Sequence, residues 1–218
     1  MIVNTSGVVI SRRPLGEYDR LCSIFTEDLG KVPARFVGVN RPAGKMKALT
    51  EPGVWGEYRL HLSLRSEFAK AVGGRLVATF PGWRGDLGRL FDALACCEML
   101  DRLTPGRSAS PEKFRLICST LAALEESPSP WLLPAFGLRL AEMLGIGLRE
   151  KFLGRRRVWE ALHDEEPAAL VSVPFDAGAG EEALRLLDDH FAAHAGRRLR
   201  AFEFRERWPS ADARGAIA

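Results

Sequence analysis

The stretch Gly7–Gly38, GVVISRRPLGEYDRLCSIFTEDLGKVPARFVG, constrains the fold more than any other part of the chain. Apolar residues come in short runs separated by tight-turn residues, and no run keeps a helical period. Val8 and Ile10 alternate with other residues as in a half-buried strand. Arg13-Pro14-Leu15-Gly16 interrupts the strand, because proline fixes φ and glycine frees it. Leu21 to Phe25 resumes an apolar run, and Glu27-Asp28-Leu29-Gly30 reads as a hairpin connection. From Lys31 the alternation is clear: Val32, Ala34 and Phe36 point one way, Lys31 and Arg35 the other. Three short strands are expected, curved into a small sheet with a basic outer face. Such a surface suits a phosphate backbone better than a small molecule.

The pattern continues to residue 80. Val54–Leu62 reads as a strand with Val54, Tyr58, Leu60 and Leu62 inward and Trp55, Arg59 and His61 outward. Glu67–Val72 and Arg75–Phe80, separated by Gly73-Gly74, read as a last hairpin. Five or six short strands in this space fit a Greek-key barrel of the oligonucleotide-binding (OB) type. Charge follows the same division. Residues 1–80 carry 12 Lys and Arg against 7 Asp and Glu, a balance of +5, and the remainder is at −2. A basic first domain beside a near-neutral second one points to a polyanion at the first. Gly44-Lys45 does not make a nucleotide loop, since Met46 stands where a hydroxyl would hold magnesium.

Pro81-Gly82 marks the boundary of the domain expected over 1–80, and from there the period becomes helical. Leu87, Leu90, Phe91, Leu94 and Cys97 define a first amphipathic helix over Asp86–Leu103. Ser110-Pro111-Glu112 caps a second, which stops before Ser127-Pro128-Ser129-Pro130. A third begins near Trp131 and ends at Gly145. Gly180–Ala195 is a last helix with Leu184, Leu187 and Phe191 inward, and Glu203–Ala218 reads as a frayed tail. The fold class expected is α+β: an N-terminal OB barrel followed by an all-helical domain over 81–218.

Three segments of the barrel region and one of the helical region carry a resemblance. Gly16–Leu21 (GEYDRL), Phe25–Lys31 (FTEDLGK), Val37–Pro42 (VGVNRP) and Ala135–Leu148 (AFGLRLAEMLGIGL) resemble the RecO family of recombination mediators. The resemblance implies an OB fold and binding of single- and double-stranded DNA. It also implies annealing of strands coated with single-stranded-DNA-binding protein (SSB), and loading of RecA with RecR. Many members hold zinc with two C-x-x-C pairs; here Gly154–Val173 has no cysteine, so a zinc-free insertion is expected about 150–175. Cys22, Cys96, Cys97 and Cys118 lack metal-ligand spacing. His190 and His194 share a helix face but have no third ligand nearby.

The residues expected to meet DNA are Arg12, Arg13, Arg20, Lys31, Arg35, Arg41, Lys45 and Lys47, with Arg59 beside Trp55. Trp55 is either a platform for a base or a ring packed under a loop. Arg155, Arg156 and Arg157 form either a second contact patch or a solvated face. The resemblance also implies capture of the acidic SSB tail: Phe136 and Leu140 would line an apolar slot, and Arg139 is either the grip on the terminal carboxylate or a surface arginine on an amphipathic helix. Arg149 and Lys151 would support the tail's acidic residues. No catalytic constellation is recognisable, so neither enzyme activity nor a cofactor is expected. The cysteine pattern and the lack of a signal layout point to the cytoplasm. Two other readings share the features: an OB-fold RNA-binding protein, and a helical adaptor without DNA affinity.

Overall fold

The computed structural model describes residues 1–148 and 156–207. They divide into two compact units, Met1–Phe80 with Thr104–Cys118, and Pro81–Leu103 with the residues from Ser119 onward.

The first unit is a closed five-strand barrel. Its strands are β1 (Ile2–Leu15), β2 (Asp19–Thr26), β3 (Gly30–Phe36), β4 (Trp55–His61) and β5 (Ala69–Ala78). They close in the order β1-β2-β3-β5-β4, with β3 parallel to β5 and every other pair antiparallel. The hairpin expected at Glu27–Gly30 is present, with Gly30 at φ +69°. Val9, Ile24, Val32, Ala34, Phe36, Tyr58 and Leu60 fill the interior with the ring of Phe36 edge-on to Tyr58. Leu49, in a short 3-10 turn over Ala48–Thr50, joins this core, and its carbonyl accepts the Tyr58 hydroxyl at 3.2 Å.

Two local expectations need correcting. Arg13–Gly16 does not break the first strand, which runs on through Pro14 opposite Arg20 to Leu15. Nor is there a hairpin at Gly73-Gly74. These glycines continue through β5 opposite Arg59 and Tyr58, and neither has a left-handed φ. Glycine is required at 74 by close approach, since a Cβ there would lie 2.6 Å from the Glu57 carbonyl oxygen.

Val8, Val9 and Ile10 are all buried, although alternation would leave one face wet. A bulge between Val9 and Ser11 accounts for part of this. The rest comes from Thr104–Cys118, which the sequence reading assigned to the helical domain. On the barrel exterior Trp55, Val8, Phe25 and Lys31 lie side by side, one on each of four strands. The segment holds both ends of this row: Lys31 Nζ donates to the Thr104 carbonyl at 2.9 Å, and Phe114 meets the Trp55 ring edge-on at 6.2 Å. Lys31 also bridges Gly106 in parallel fashion. Contact of this kind is invisible to local periodicity.

The helical unit contains α1 (Pro81–Arg84), α2 (Leu87–Leu103), the second half of α3 (Pro111–Glu126), α4 (Leu132–Met143), α5 (Arg156–Asp164), α6 (Ala177–Ala195) and α7 (Arg200–Arg207). α4 is hydrophobic almost all round and is its centre, with Leu133, Phe136, Leu138 and Leu140 nearly inaccessible. Gly137 permits tight packing there, because a Cβ would meet Leu187 of α6 at 2.8 Å. Asp176 caps α6 through the Ala179 amide, and Gly196 ends it at φ +73°. α7 corrects the start of the tail expected over Glu203–Ala218: residues 203–207 are helical, and residues 208–218 lie outside the described residues. The Glu98 carboxylate on α2 accepts the amides of Arg200 and Ala201 at 3.1 and 2.9 Å, supplying a cap no local reading could find.

Candidate nucleic-acid interface

At one end of the barrel the β1–β2 turn and the β3–β4 loop are tied together. Asp19 does the tying: one carboxylate oxygen accepts the Gly38 amide at 2.7 Å, and the other accepts Arg35 Nε at 2.9 Å. These bonds, the Gly38 amide first and Arg35 next, hold the Asp19 carboxyl below its usual range. The Asn40 amide donates to the Tyr18 carbonyl at 3.0 Å, and the Arg41 guanidinium lies 5.1 Å from the Tyr18 ring centroid. A lowered carboxylate stabilises the fold above its unfolded value of 3.8, and that contribution disappears as pH falls through the lower folded value. Asp19→Asn should therefore lower the melting temperature at pH 7, with the gap to wild type closing below pH 3.8. Thermal unfolding from pH 7 to 2.5 checks this, and a constant gap would contradict it.

The expected DNA residues separate by what they already hold. Arg12 and Arg20 both engage Glu51, and Arg20 also donates to the Thr50 hydroxyl at 2.7 Å. Lys31 is committed to Thr104, and Arg35 is shared with Asp19 though its side chain is 52% exposed. Arg13, Lys45, Lys47 and Arg59 are exposed and have no partner among the described residues. Arg41 is exposed on Tyr18. Trp55 is not an open platform: its Nε1 donates to the Ser6 hydroxyl at 2.7 Å and its ring packs on Phe114.

Register reveals members that the sequence reading missed. Arg13, Leu21, Arg35, Lys70, His61 and Ile2 form one continuous exterior row, each opposite the next, that winds around the barrel from β1 back to β1. Lys70 and His61 are exposed in it. The parallel pairing of β3 with β5 creates this row, and no hydropathy pattern announces which strands will be neighbours.

In the helical unit Arg157 is exposed on α5. Arg149, Lys151 and Arg155 and the side chain of Arg156 lie outside the described residues. The slot expected at α4 is closed, because Phe136 and Leu140 are 1% and 0% exposed. Arg139 faces inward chemically as well. Its Nε donates to the Leu162 carbonyl at 2.7 Å and its Nη2 to the Glu165 carbonyl, closing the C-terminal turn of α5. Desolvation lowers its pKa, against the opposing pull of Glu166, Asp164 and Glu165. A guanidinium so occupied and so surrounded by acids is a poor receptor for an acidic peptide.

An open, mainly apolar groove of about 520 Å³ lies instead between α2 and α7, lined by Leu87, Phe91, Leu94 and Phe204 together with Glu98 and Arg200. Phe91 and Phe204 stack there at 6.3 Å. His190 and His194, considered as metal ligands, are engaged with the Ile146 carbonyl at 2.7 Å and the His190 carbonyl at 2.8 Å. Burial pushes the thiols of Cys22 and Cys118 up to about 12. Among the described residues no group of three His, Cys, Asp or Glu side chains is placed to hold a metal, and no helix is long and apolar enough to cross a membrane.

Residues 1–80 match the family model for the N-terminal domain of recombination protein O, and residues 84–152 match the model for its C-terminal domain. The chain belongs to the RecO family. Curated relatives named DNA repair protein RecO agree. That of Desulfitobacterium hafniense (strain DSM 10664 / DCB-2) is 30% identical over 66% of this chain and 52% of its own length. The Symbiobacterium thermophilum protein is 31% identical over 66% of this chain and 57% of its own. The Clostridium perfringens protein is 28% identical over 68% and 60%. The chain thus spans little more than half the length of the RecO relatives it matches.

Proposed function

We propose that this RecO chain is a DNA repair and recombination mediator that binds single- and double-stranded DNA, anneals SSB-coated complementary strands, and helps RecR load RecA. The observation that carries the DNA reading is the set of cations on one small barrel that are exposed and have no partner among the described residues: Arg13, Lys45, Lys47, Arg59 and Lys70. Annealing requires two repelling backbones to be neutralised together, which cations achieve without an active site. The RecO relatives are named for DNA repair, which favours DNA over RNA as the polyanion.

The SSB tail, a short acidic peptide ending in a hydrophobic residue and a free carboxylate, fits the groove between α2 and α7 better than the α4 face. Leu87, Phe91, Leu94 and Phe204 supply apolar walls, and Arg200 supplies a cation in the lining. RecR is carried over from the family alone.

The test is fluorescence polarisation with unrelated single-stranded oligomers across a salt series. Neutralising about three to five phosphates gives log K a slope of roughly −2 to −3.5 against log salt. Affinity should depend little on base sequence. A flat salt response, or a strong preference for RNA of the same sequence, would defeat the reading.

A further inference from the structure

A protein that holds single strands without reading them needs a ring for bases to stack on, and a line of charge for the phosphates. With Trp55 packed against Phe114, Tyr18 is the exposed aromatic of the first unit among the described residues, at 40% accessibility. It stands on a turn fixed from both sides. Its carbonyl accepts the Asn40 amide, and the next residue, Asp19, holds both Gly38 and Arg35. Arg41 lies over its ring and adds a cation at the same point.

From this turn the exterior row leads away. Arg35, paired to Asp19, is directly opposite Lys70 on β5, and Lys70 is directly opposite His61 on β4. Neighbouring strands are about 4.8 Å apart, so these side chains offer one contact per strand along a short path. The other exterior row, from Trp55 to Lys31, is held at both ends by Thr104–Cys118 and is closed to a ligand.

Resting on the DNA-binding reading above, we infer that Tyr18 stacks with an unpaired base and that the strand's phosphates pass from Arg41 along Arg35 and Lys70. A duplex keeps its bases stacked on each other and offers none to Tyr18. The ring therefore makes this site discriminate single strands from duplex, while the cations serve both.

The experiment measures polarisation with a labelled thymidine oligomer and with a blunt-ended, fully paired duplex, using the full chain and its Tyr18→Ala, Tyr18→Trp and Lys70→Gln variants. Tyr18→Ala should weaken the single-strand complex roughly tenfold or more while leaving the duplex within about twofold, and Tyr18→Trp should restore it. Lys70→Gln should make the single-strand salt slope shallower by about 0.7. Equal loss on both DNAs, no loss on either, or failure of tryptophan to rescue would overturn the role of Tyr18. An unchanged slope in Lys70→Gln would overturn the path. Wild-type protein that binds neither DNA would defeat the DNA reading itself, a separate result.

Discussion

Alanine at position 30 should loosen the Thr104–Cys118 segment from the barrel and cost on the order of 3 kcal/mol of stability. Gly30 sits at φ +69°, where a Cβ costs roughly 1–2 kcal/mol. That Cβ would also lie within 2.6 Å of the Ser108 amide nitrogen and carbonyl carbon. Overpacking against backbone typically adds 1–3 kcal/mol, because backbone cannot swing aside as a side chain can. Gly16 provides the control: it has the same φ of +69° but nothing within 4 Å of the Cβ position. Gly16→Ala should therefore show the conformational cost alone, about 1–2 kcal/mol. Chemical denaturation compares the two, and hydrogen exchange at residues 104–110 locates the effect. Equal losses in both variants would mean that the segment is not pressed on Gly30.

Arg139→Ala should destabilise the helical unit by roughly 1.5–3 kcal/mol, the range for hydrogen bonds to a charged group. The guanidinium bonds the carbonyls of Leu162 and Glu165, so its loss removes the closure of α5 and leaves a gap beside α4. Lysine should recover less than half of the loss, since one ammonium on a thinner stem does not reproduce a planar fork. The denaturation midpoint checks this, and salt-dependent affinity for DNA should be unchanged. An alanine variant as stable as wild type would show that α5 closes without Arg139.

Much of the barrel could be read in advance because its strands carry their information locally. The turn at Glu27–Gly30, the inward set of Tyr58 and Leu60, and the change of period at Pro81 all lie within windows of about ten residues. The exposed cations of the loops were legible for the same reason: charge in loops stays exposed wherever the loops go, as Lys45 and Lys47 do. What escaped depended on partners distant in sequence. Arg139 reads equally as a carboxylate grip or a surface arginine until the end of α5 and the residue after it deliver two carbonyls to it. Trp55 reads as either a platform or a packed ring until Phe114 meets it. The Arg200–Arg207 helix looks like a tail until Glu98 caps it. Lys70 acquires meaning only beside Arg35, through a parallel pairing that the alternation of neither strand could specify.

The covering of the barrel by residues 104–118 has a consequence for synthesis on the ribosome. The five strands are complete once Ala78 has emerged, yet Trp55, Val8 and Phe25 must wait for residues made after all of α2. At about 5–20 residues per second, the interval between Phe80 and Cys118 lasts roughly 2–8 s. During it the nascent barrel shows a stripe of large apolar side chains to the cytosol and its chaperones. A gene interrupted soon after codon 80 would make that interval permanent, yielding a closed barrel whose outer face stays sticky.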